Sequence, residues 1–254
     1  MIFDVKTGEN FRRKARMVAG GHMTTSPSPL TYSSVVSRDS VRIALTIAAL
    51  DCLSTLACDI QNVYLTAPCR EKIWTTAGPE FGPEKGKNML VVRALYGLKS
   101  SGAAFRAFLA ETLYDLRYRL SMEDPEVWLR PAIKEKDGFK YWEYVLCYVD
   151  DVLCISNKPE HTMRGIQTKF KLKKDKMEKP EVYLGVELSS MDNEQGIECW
   201  AMSSEKYCAD MVKNIEDGLK KKGLRLPTKC DLPIMHGNKP EMDCTGVLIP
   251  KSPD

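Results

Sequence analysis

The sequence predicts an α+β fold in which an antiparallel sheet packs on helices. Short apolar runs separated by turn residues predict β-hairpins, and stretches with apolar residues at helical spacing lie between these runs. The chain has 254 residues, 43% of them hydrophobic, which is enough to bury a core in one large domain or two small ones. Together these observations favour a mixed fold of hairpins and helices.

The most informative stretch is residues 146–155, where two apolar runs flank Asp150 and Asp151. The pattern predicts two buried strands joined by a turn that carries both acids. Adjacent carboxylates in an apolar setting must be solvated or neutralised by a cation, because burying them unpaired is costly. A bound divalent metal is one interpretation, and an ordinary Asp-Asp reverse turn is the other.

The N-terminal part of the chain carries a basic cluster within residues 10–20. A cationic strand is predicted there, either as a solvated edge strand or as a phosphate clamp that uses Arg13, Lys14 or Arg16. Residues 22–37 have the composition of a loop.

A helix is predicted to follow, with Asp39 or Ser40 as its N-cap. Its core face consists of four apolar residues at helical spacing, namely Val41, Ala44, Leu45 and Ala48.

The middle of the chain contains a third carboxylate of interest. An apolar strand is predicted over residues 56–65, and Asp59 interrupts it. A single Asp there is more often a cap or turn residue than a metal ligand, and a position facing the acidic hairpin would favour the metal ligand. Residues 79–87 are predicted to form a surface loop, and residues 101–118 a helix. The apolar stripe of that helix contains Phe105, Leu109, Thr112 and Leu116.

The second half of the chain predicts two further hairpins and two helices. The first hairpin pairs residues 127–130 with 141–147 through an Asp137-Gly138 turn and continues into the acidic stretch. A helix opening near Pro159 would bury Met163, Ile166 and Phe170.

Six Lys residues within 169–179 either follow a phosphate backbone or form a solvated face. The remaining elements are a hairpin over residues 182–188 and 196–202, a helix over 204–219 on Tyr207, Met211 and Ile215, and a basic, Pro-rich linker after residue 220.

The overall composition narrows the class of protein. The formal net charge of +3 is too small to indicate a nucleic-acid partner without local basic patches. Nine scattered Cys residues without a Cys-x-x-Cys pair predict buried free thiols in a reducing compartment and no zinc site. An apolar run long enough to span a bilayer and a signal-peptide pattern are both absent, so we expect an intracellular protein without membrane contact.

Five motifs in order carry a resemblance to a known family. They are KARMVA at residues 14–19, DIQNVYL at 59–65, ALYGLK at 94–99, YVDD at 148–151 and YLGVE at 183–187. With this order and spacing the chain resembles the reverse transcriptase region of a copia-type LTR retrotransposon polyprotein over nearly its whole length. Two departures are Gly20, where many members have Arg, and Gly102, where Pro is common.

The resemblance implies a right-hand polymerase. Residues 1–202 would hold interleaved fingers and palm, and residues 203–254 the start of a thumb or connection with a Pro-rich tail. RNase H and integrase signatures are absent, which indicates a fragment or excised domain. The implied activity is RNA-directed DNA polymerisation, in which two Mg²⁺ ions, or Mn²⁺, assist nucleotidyl transfer from a dNTP to a primer 3′-hydroxyl.

The resemblance also implies roles for individual residues. Asp59, Asp150 and Asp151 would be catalytic and, with Ile60, would bind metal through hard oxygen ligands. The nucleotide-binding residues would be Lys14, Arg16, Tyr64, Tyr96 and Gly97. The primer-binding residues would be Tyr148, Leu184 and Gly185.

The implied partners are an RNA or DNA template with its primer, dNTPs, and either a second copy of the chain or the integrase and RNase H regions of the polyprotein. The implied location is a cytoplasmic virus-like particle or the nucleus. Two alternatives stay open. One is an inactive or domesticated remnant that binds nucleic acid, and the other is a non-enzymatic protein whose acidic hairpin is only a turn.

Overall fold

The computed structural model describes residues 2–6, 12–24, 31–192, 194, 196 and 198–226. The strands are β1 (Ile2–Lys6), β2 (Arg12–Arg16), β3 (Ser54–Asp59), β4 (Trp74–Thr76), β5 (Asn88–Leu90), β6 (Arg119–Leu120), β7 (Val127–Ile133), β8 (Lys140–Tyr148), β9 (Asp151–Ser156), β10 (Val182–Tyr183), β11 (Val186–Asp192) and β12 (Glu198–Ser203). The α-helices are α1 (Arg38–Leu50), α2 (Val63–Thr66), α3 (Ser101–Asp115), α4 (Pro159–Gln167) and α5 (Glu205–Lys220). Short 3₁₀ turns span Gly21–Met23, Pro79–Glu84 and Lys173–Asp175. The predicted α+β class is confirmed.

A five-stranded antiparallel sheet organises the fold, in the order β3-β9-β8-β7-β6. Side chains of successive strand residues point to opposite faces, and each face of this sheet is covered. On one face, Val152 and Cys154 of β9 pack in a core with α3 and α4. On the other face, Leu153 and Ile155 pack in a core with α1. Residues 152–155 alternate between these two faces, and both faces are buried. All four residues are therefore apolar and form one continuous apolar run in the sequence.

The two helical layers match the predicted apolar faces. All four predicted core residues of α1 are buried. In α3, Phe105, Leu109 and Thr112 are buried as predicted, whereas Leu116 is the C-cap and is only partly buried. In α4, Met163 and Ile166 are buried, and Phe170 is buried just beyond the end of the helix.

The predicted cap of α1 is wrong. The N-cap is Ser37, whose side chain accepts a hydrogen bond from the backbone N–H of Ser40 at 3.0 Å. Asp124 fixes this choice, because its carboxylate accepts from the Ser37 N–H at 3.0 Å and from the Ser40 hydroxyl at 2.6 Å. Asp39 lies instead in the first helical turn, where a negative charge is also favourable.

Smaller sheets flank the central sheet. The β1–β2 and β4–β5 pairs are two-stranded, and β10, β11 and β12 form a three-stranded antiparallel sheet. The predicted cationic strand is therefore β2. The predicted strand over residues 56–65 ends at Asp59, and α2 begins four residues later. The predicted hairpin strand over 182–188 is broken by a turn at Leu184-Gly185, where both residues have positive φ.

The chain divides into two compact units, residues 1–204 and 205–254. In the second unit α5 is confirmed as a helix, but Tyr207, Met211 and Ile215 on its apolar side are exposed rather than buried. The linker predicted after residue 220 lies outside the described residues from residue 227 onward. The predicted division at residue 202 into fingers with palm and thumb stays a prediction.

Two further expectations concern the thiols and membranes. Seven Cys residues lie in the described part of the chain and all are free, but only Cys58, Cys147 and Cys154 are buried. Cys230 and Cys244 lie outside that part. No helix within the described ranges is long and apolar enough to cross a membrane.

An ion pair between partly buried Arg130 and buried Glu143 links the sheet to the α3 and α4 layer. The Arg130 Nε donates to the Glu143 carboxylate at 2.5 Å, and the Ser156 hydroxyl donates to the other oxygen of Glu143 at 2.5 Å. Arg130 also donates to the Leu116 carbonyl at 2.7 Å and lies over the Tyr118 ring at 4.5 Å. The Arg130 guanidinium thus neutralises the Glu143 carboxylate and also satisfies a backbone carbonyl at the C-terminal end of α3.

We expect Arg130→Met to lower the free energy of unfolding by about 3 kcal/mol, because Glu143 would stay buried without its cation. Urea unfolding monitored by circular dichroism measures this loss. Lys158→Met is the matched control, since it removes an exposed pair with Glu135 at 2.7 Å and should cost no more than about 1 kcal/mol. Equal losses in the two variants would contradict a special role for the buried pair.

Candidate active site

The tip of the β8–β9 hairpin carries the adjacent acids. Tyr148 pairs with Asp151, so the two-residue turn consists of Val149 and Asp150. The prediction that both acids lie in the turn is therefore only half right, because Asp151 is the first residue of β9. Val149 adopts φ of +53° and packs partly into the core, an unusual conformation for a β-branched residue.

The third acid joins the hairpin through strand pairing. Asp59 is the last residue of β3 and lies opposite Asp151 in the β3–β9 register. The next residue, Ile60, donates its backbone N–H to the Asp150 carbonyl at 2.8 Å. The structure thus brings together the three acids that the sequence singled out, on two segments that are far apart in the chain.

One cleft of about 740 Å³ collects most of the predicted site residues. Asp59, Ile60 and Asp150 line it, and β2 contributes cations to the same lining. The predicted residues that line it are Lys14, Arg16, Asp59, Ile60, Tyr64, Tyr96 and Asp150. Arg13, Lys171, Lys173, Lys174 and Asp175 also line it. We call this cavity the first cleft.

Asp151 faces a different cavity, of about 340 Å³, which we call the second cleft. Asp59 and Lys173 line both clefts, so they stand between them. Tyr183 of β10 also lines the second cleft, and its hydroxyl donates to the Leu146 carbonyl of β8 at 3.1 Å. The acids are therefore accessible from two sides.

Four predicted residues line neither cleft. Gly97 follows Tyr96, and Tyr148 precedes the acidic turn and is partly exposed. Leu184 and Gly185 form the turn between β10 and β11, with φ of +54° and +72°. A side chain added at Gly185 would meet open space, so the backbone there is open to close approach.

Burial and mutual repulsion perturb the acids. Loss of solvent raises the pKa of Asp151 to about 6, with Asp150 and Asp59 adding to the effect. Loss of solvent also raises the pKa of Asp150, and the negative charge of Asp59 raises it further. Both carboxylates therefore carry a charge that a bound cation would stabilise.

Lys173 is the functional candidate that sequence reasoning missed as an individual residue. Its ammonium donates a hydrogen bond to the Asp59 carboxylate. That bond is the first cause that raises the pKa of Lys173, and Asp150 and Asp151 raise it further. The sequence showed only six Lys residues in one stretch, and no local signal separated Lys173 from the other five.

A close backbone contact joins the segment that follows β2 to the aromatic side of the first cleft. Ala19 donates its N–H to the Tyr96 carbonyl at 2.7 Å, and Val18 bridges Tyr96 in parallel. Gly21 lies against the Gly97 carbonyl so closely that a Cβ on Gly21 would overlap it. The ring of Tyr96 in turn meets the ring of Tyr64 edge to face, with centroids 4.8 Å apart. The cationic hairpin and the aromatic pair are therefore held in one arrangement.

The donor set fits a divalent metal of the magnesium type. Asp59 and Asp150 offer hard carboxylate oxygens to one cleft. Mg²⁺ is usually held by one or two carboxylates together with substrate phosphates. Within the described ranges no group of three or more His, Cys, Asp or Glu side chains stands ready to hold a metal by itself.

The fold and the site define a class of protein. An α+β domain that faces paired carboxylates with a cationic hairpin is suited to phosphoryl transfer. The family model for reverse transcriptase (RNA-dependent DNA polymerase) matches residues 2–224. The chain belongs to this family, whose activity is RNA-directed DNA polymerisation on a primed template with dNTPs. No curated protein matches the chain.

We expect Gly21→Ala to lower the free energy of unfolding by about 1–3 kcal/mol, because the added methyl group would push the backbone off Gly97. Gly20→Ala is the matched control. Its methyl group would come too close only to the flexible end of Met23 and would lie at ordinary contact distance from the His22 ring, so the change should stay within about 0.5 kcal/mol. Urea unfolding of both variants measures the difference, and an equally stable Gly21→Ala protein would contradict the close contact.

Proposed function

We propose that the chain is the polymerase domain of a copia-type LTR retrotransposon. In this proposal the five-stranded sheet with α1, α3 and α4 is the palm, the β1–β2 hairpin belongs to the fingers, and residues 203–254 begin the thumb. The observation that carries the proposal is the first cleft, which sets Asp59 and Asp150 against Lys14 and Arg16. The five ordered motifs of the sequence support the copia-type assignment.

The acids would hold the metal. Asp59 and Asp150 would do so from the first cleft, with Asp151 and the Ile60 carbonyl completing the set. When bound, Mg²⁺ would activate the primer 3′-hydroxyl and offset the negative charge that develops on the α-phosphate and the leaving pyrophosphate. The raised pKa of Asp150 and Asp151 supports this role, because the metal-free site holds more negative charge than its surroundings stabilise.

The β2 strand would hold the triphosphate. Arg16 can contact phosphate oxygens with two N–H groups at once, whereas Lys14 acts as a point charge. Arg13 lines the same cleft and is a further candidate that the family motif does not include. The contact of Ala19 with Tyr96 would keep these cations at a fixed distance from the sugar pocket.

The aromatic pair would shape the sugar pocket. Tyr64 and Tyr96 line the first cleft and support one another edge to face. A ring held in this way can exclude ribonucleotides, because a ribose 2′-hydroxyl would clash with the ring or lose hydration without gaining a hydrogen-bond partner. Gly97 would allow the backbone behind Tyr96 to stay close to β2.

The β10–β11 turn would hold the primer. Tyr183 anchors this turn on the sheet, beside the second cleft that Asp151 lines. Leu184 and Gly185 would then present open backbone to the primer strand, and Tyr148 would lie beside the acidic turn. Association with a second copy, or with the integrase and RNase H regions of a polyprotein, and a location in virus-like particles or the nucleus are part of the same proposal.

Primer extension on poly(rA)·oligo(dT), with Mg²⁺, with Mn²⁺ and with EDTA, tests the proposal directly. Metal-dependent extension supports an active reverse transcriptase. Binding of the template-primer without extension would favour the alternative of an inactive or domesticated remnant.

We expect Asp150→Asn to abolish primer extension while the protein stays folded. The metal-free variant should be more stable than the parent, because burial and Asp59 both disfavour the Asp150 carboxylate. Asp175→Asn is the matched control, since Asp175 also lines the first cleft but is not a proposed ligand. Extension by a folded Asp150→Asn protein would end the assignment of Asp150 as a metal ligand.

We expect Tyr64→Ala to keep dNTP incorporation within about tenfold, a barrier change of about 1.4 kcal/mol, while ribonucleotide incorporation rises by more than that. Competitive single-nucleotide incorporation measures the ratio. Tyr114→Ala is the matched control, because Tyr114 also packs edge to face, on Trp128 at 5.1 Å, and lines no part of either cleft. An unchanged ratio in active Tyr64→Ala protein would show that the gate lies elsewhere.

A further inference from the structure

The segment that carries Lys173 is attached to the chain on both sides of Asp59. Before Lys173, Gln61 donates its N–H to the Lys171 carbonyl at 2.8 Å, and buried Leu172 bridges Ile60. After Lys173, the backbones of Ala57 and Glu178 exchange two hydrogen bonds, at 2.8 and 3.1 Å. The intervening turn is thus fixed at its end to β3 and at its start to the two residues that follow β3.

The backbone between these attachments is strained. Lys174 and Asp175 have φ of +57° and +49°, in the left-handed region that favours glycine. Such conformations persist where the surrounding structure holds them, and they concentrate at functional sites. Here the two attachments hold the turn, and the result is that the Lys173 ammonium reaches the Asp59 carboxylate.

The ion pair formed by Lys173 and Asp59 occupies a carboxylate that is a proposed metal ligand. Lys173 and Asp59 line both clefts. The ammonium therefore lies between the first cleft, which Asp150 lines, and the second cleft, which Asp151 lines. A carboxylate oxygen that accepts a hydrogen bond from an ammonium is less available to a cation, and two cations at one carboxylate repel each other. The chain therefore supplies its own counter-ion to the acids.

We propose that Lys173 is a tethered counter-ion that competes with the divalent metal for Asp59 and must be displaced when the metal binds. The inference rests on the proposed function, because it takes Asp59 as a metal ligand. It assigns to Lys173 a positioning role in the metal-free protein: the ammonium holds Asp59 in place and keeps metal affinity low. Phosphates of a bound nucleotide would favour the displacement, since they offer the ammonium another anionic partner.

Mn²⁺ binding to the nucleotide-free protein, measured by electron paramagnetic resonance, tests this inference without an activity assay. Lys173→Met should bind Mn²⁺ more tightly than the parent, by on the order of tenfold, because a positive charge next to the ligand is removed. Lys173→Gln serves the same purpose if Lys173→Met does not fold. Lys173→Arg keeps the charge and should retain the weaker affinity.

The matched control is Lys169→Met. Lys169 belongs to the same basic stretch and pairs with Asp115 at 2.8 Å, with a side-chain exposure of 44% against 50% for Lys173. It lines neither cleft, so its removal should leave Mn²⁺ affinity unchanged. A tighter affinity in Lys169→Met as well would mean that net charge, and not the contact with Asp59, sets the affinity, which would overturn the inference.

The outcomes separate the inference from the function on which it rests. Unchanged or weaker Mn²⁺ binding in folded Lys173→Met and Lys173→Gln proteins, together with binding in the parent that Asp150→Asn abolishes, would reject the counter-ion and keep the metal site. Absence of Mn²⁺ binding in the parent and in every variant would reject the metal site and the counter-ion together.

Discussion

The pairing of β3 with β9 is the interaction on which the site depends. In this register Asp59 lies opposite Asp151, and Cys58 lies opposite Val152 in the core beneath them. A shift by one residue would turn Cys58 out of that core and move Asp59 away from the acidic hairpin, because strand side chains alternate with a period of two. The apolar burial of the strands therefore determines the position of the acids.

The sequence predicts elements that local patterns specify. The β7–β8 and β8–β9 hairpins and the core face of α1 follow from alternation and helical spacing, and the structure confirms them. Local patterns do not distinguish between similar residues that lie close together in the sequence. Which of them takes a given role depends on contacts with distant segments of the chain. Ser37 rather than Ser40 caps α1 because Asp124 lies beside it, and Lys173 rather than another Lys reaches Asp59 because its turn is attached to β3. The three acids were identifiable from their motifs, whereas the division of Asp150 and Asp151 between two clefts depends on a two-residue turn.

The electrostatics of the site follow from the same arrangement. Strand pairing gathers three carboxylates at one end of the β3–β9 pair, beside an apolar core. Partial burial of these charges would by itself disfavour the folded state. Two sets of cations offset this charge: Lys173 contacts Asp59 directly, while the cations of β2 line the first cleft together with Asp59 and Asp150. The close approach of Gly21 to Gly97 then fixes that hairpin beside the aromatic pair. Each of these contacts connects segments that lie far apart in sequence.

The left-handed backbone of Val149 has a consequence for how the acidic tip behaves. A two-residue turn of this kind would form more readily with glycine at that position, so the turn is held by its surroundings rather than by its own preference. Its packing in the core and the hydrogen bond from Ile60 to Asp150 provide that restraint. The entropy of ordering the Asp150 backbone is therefore lost once, during folding, and need not be lost again in each round of substrate binding.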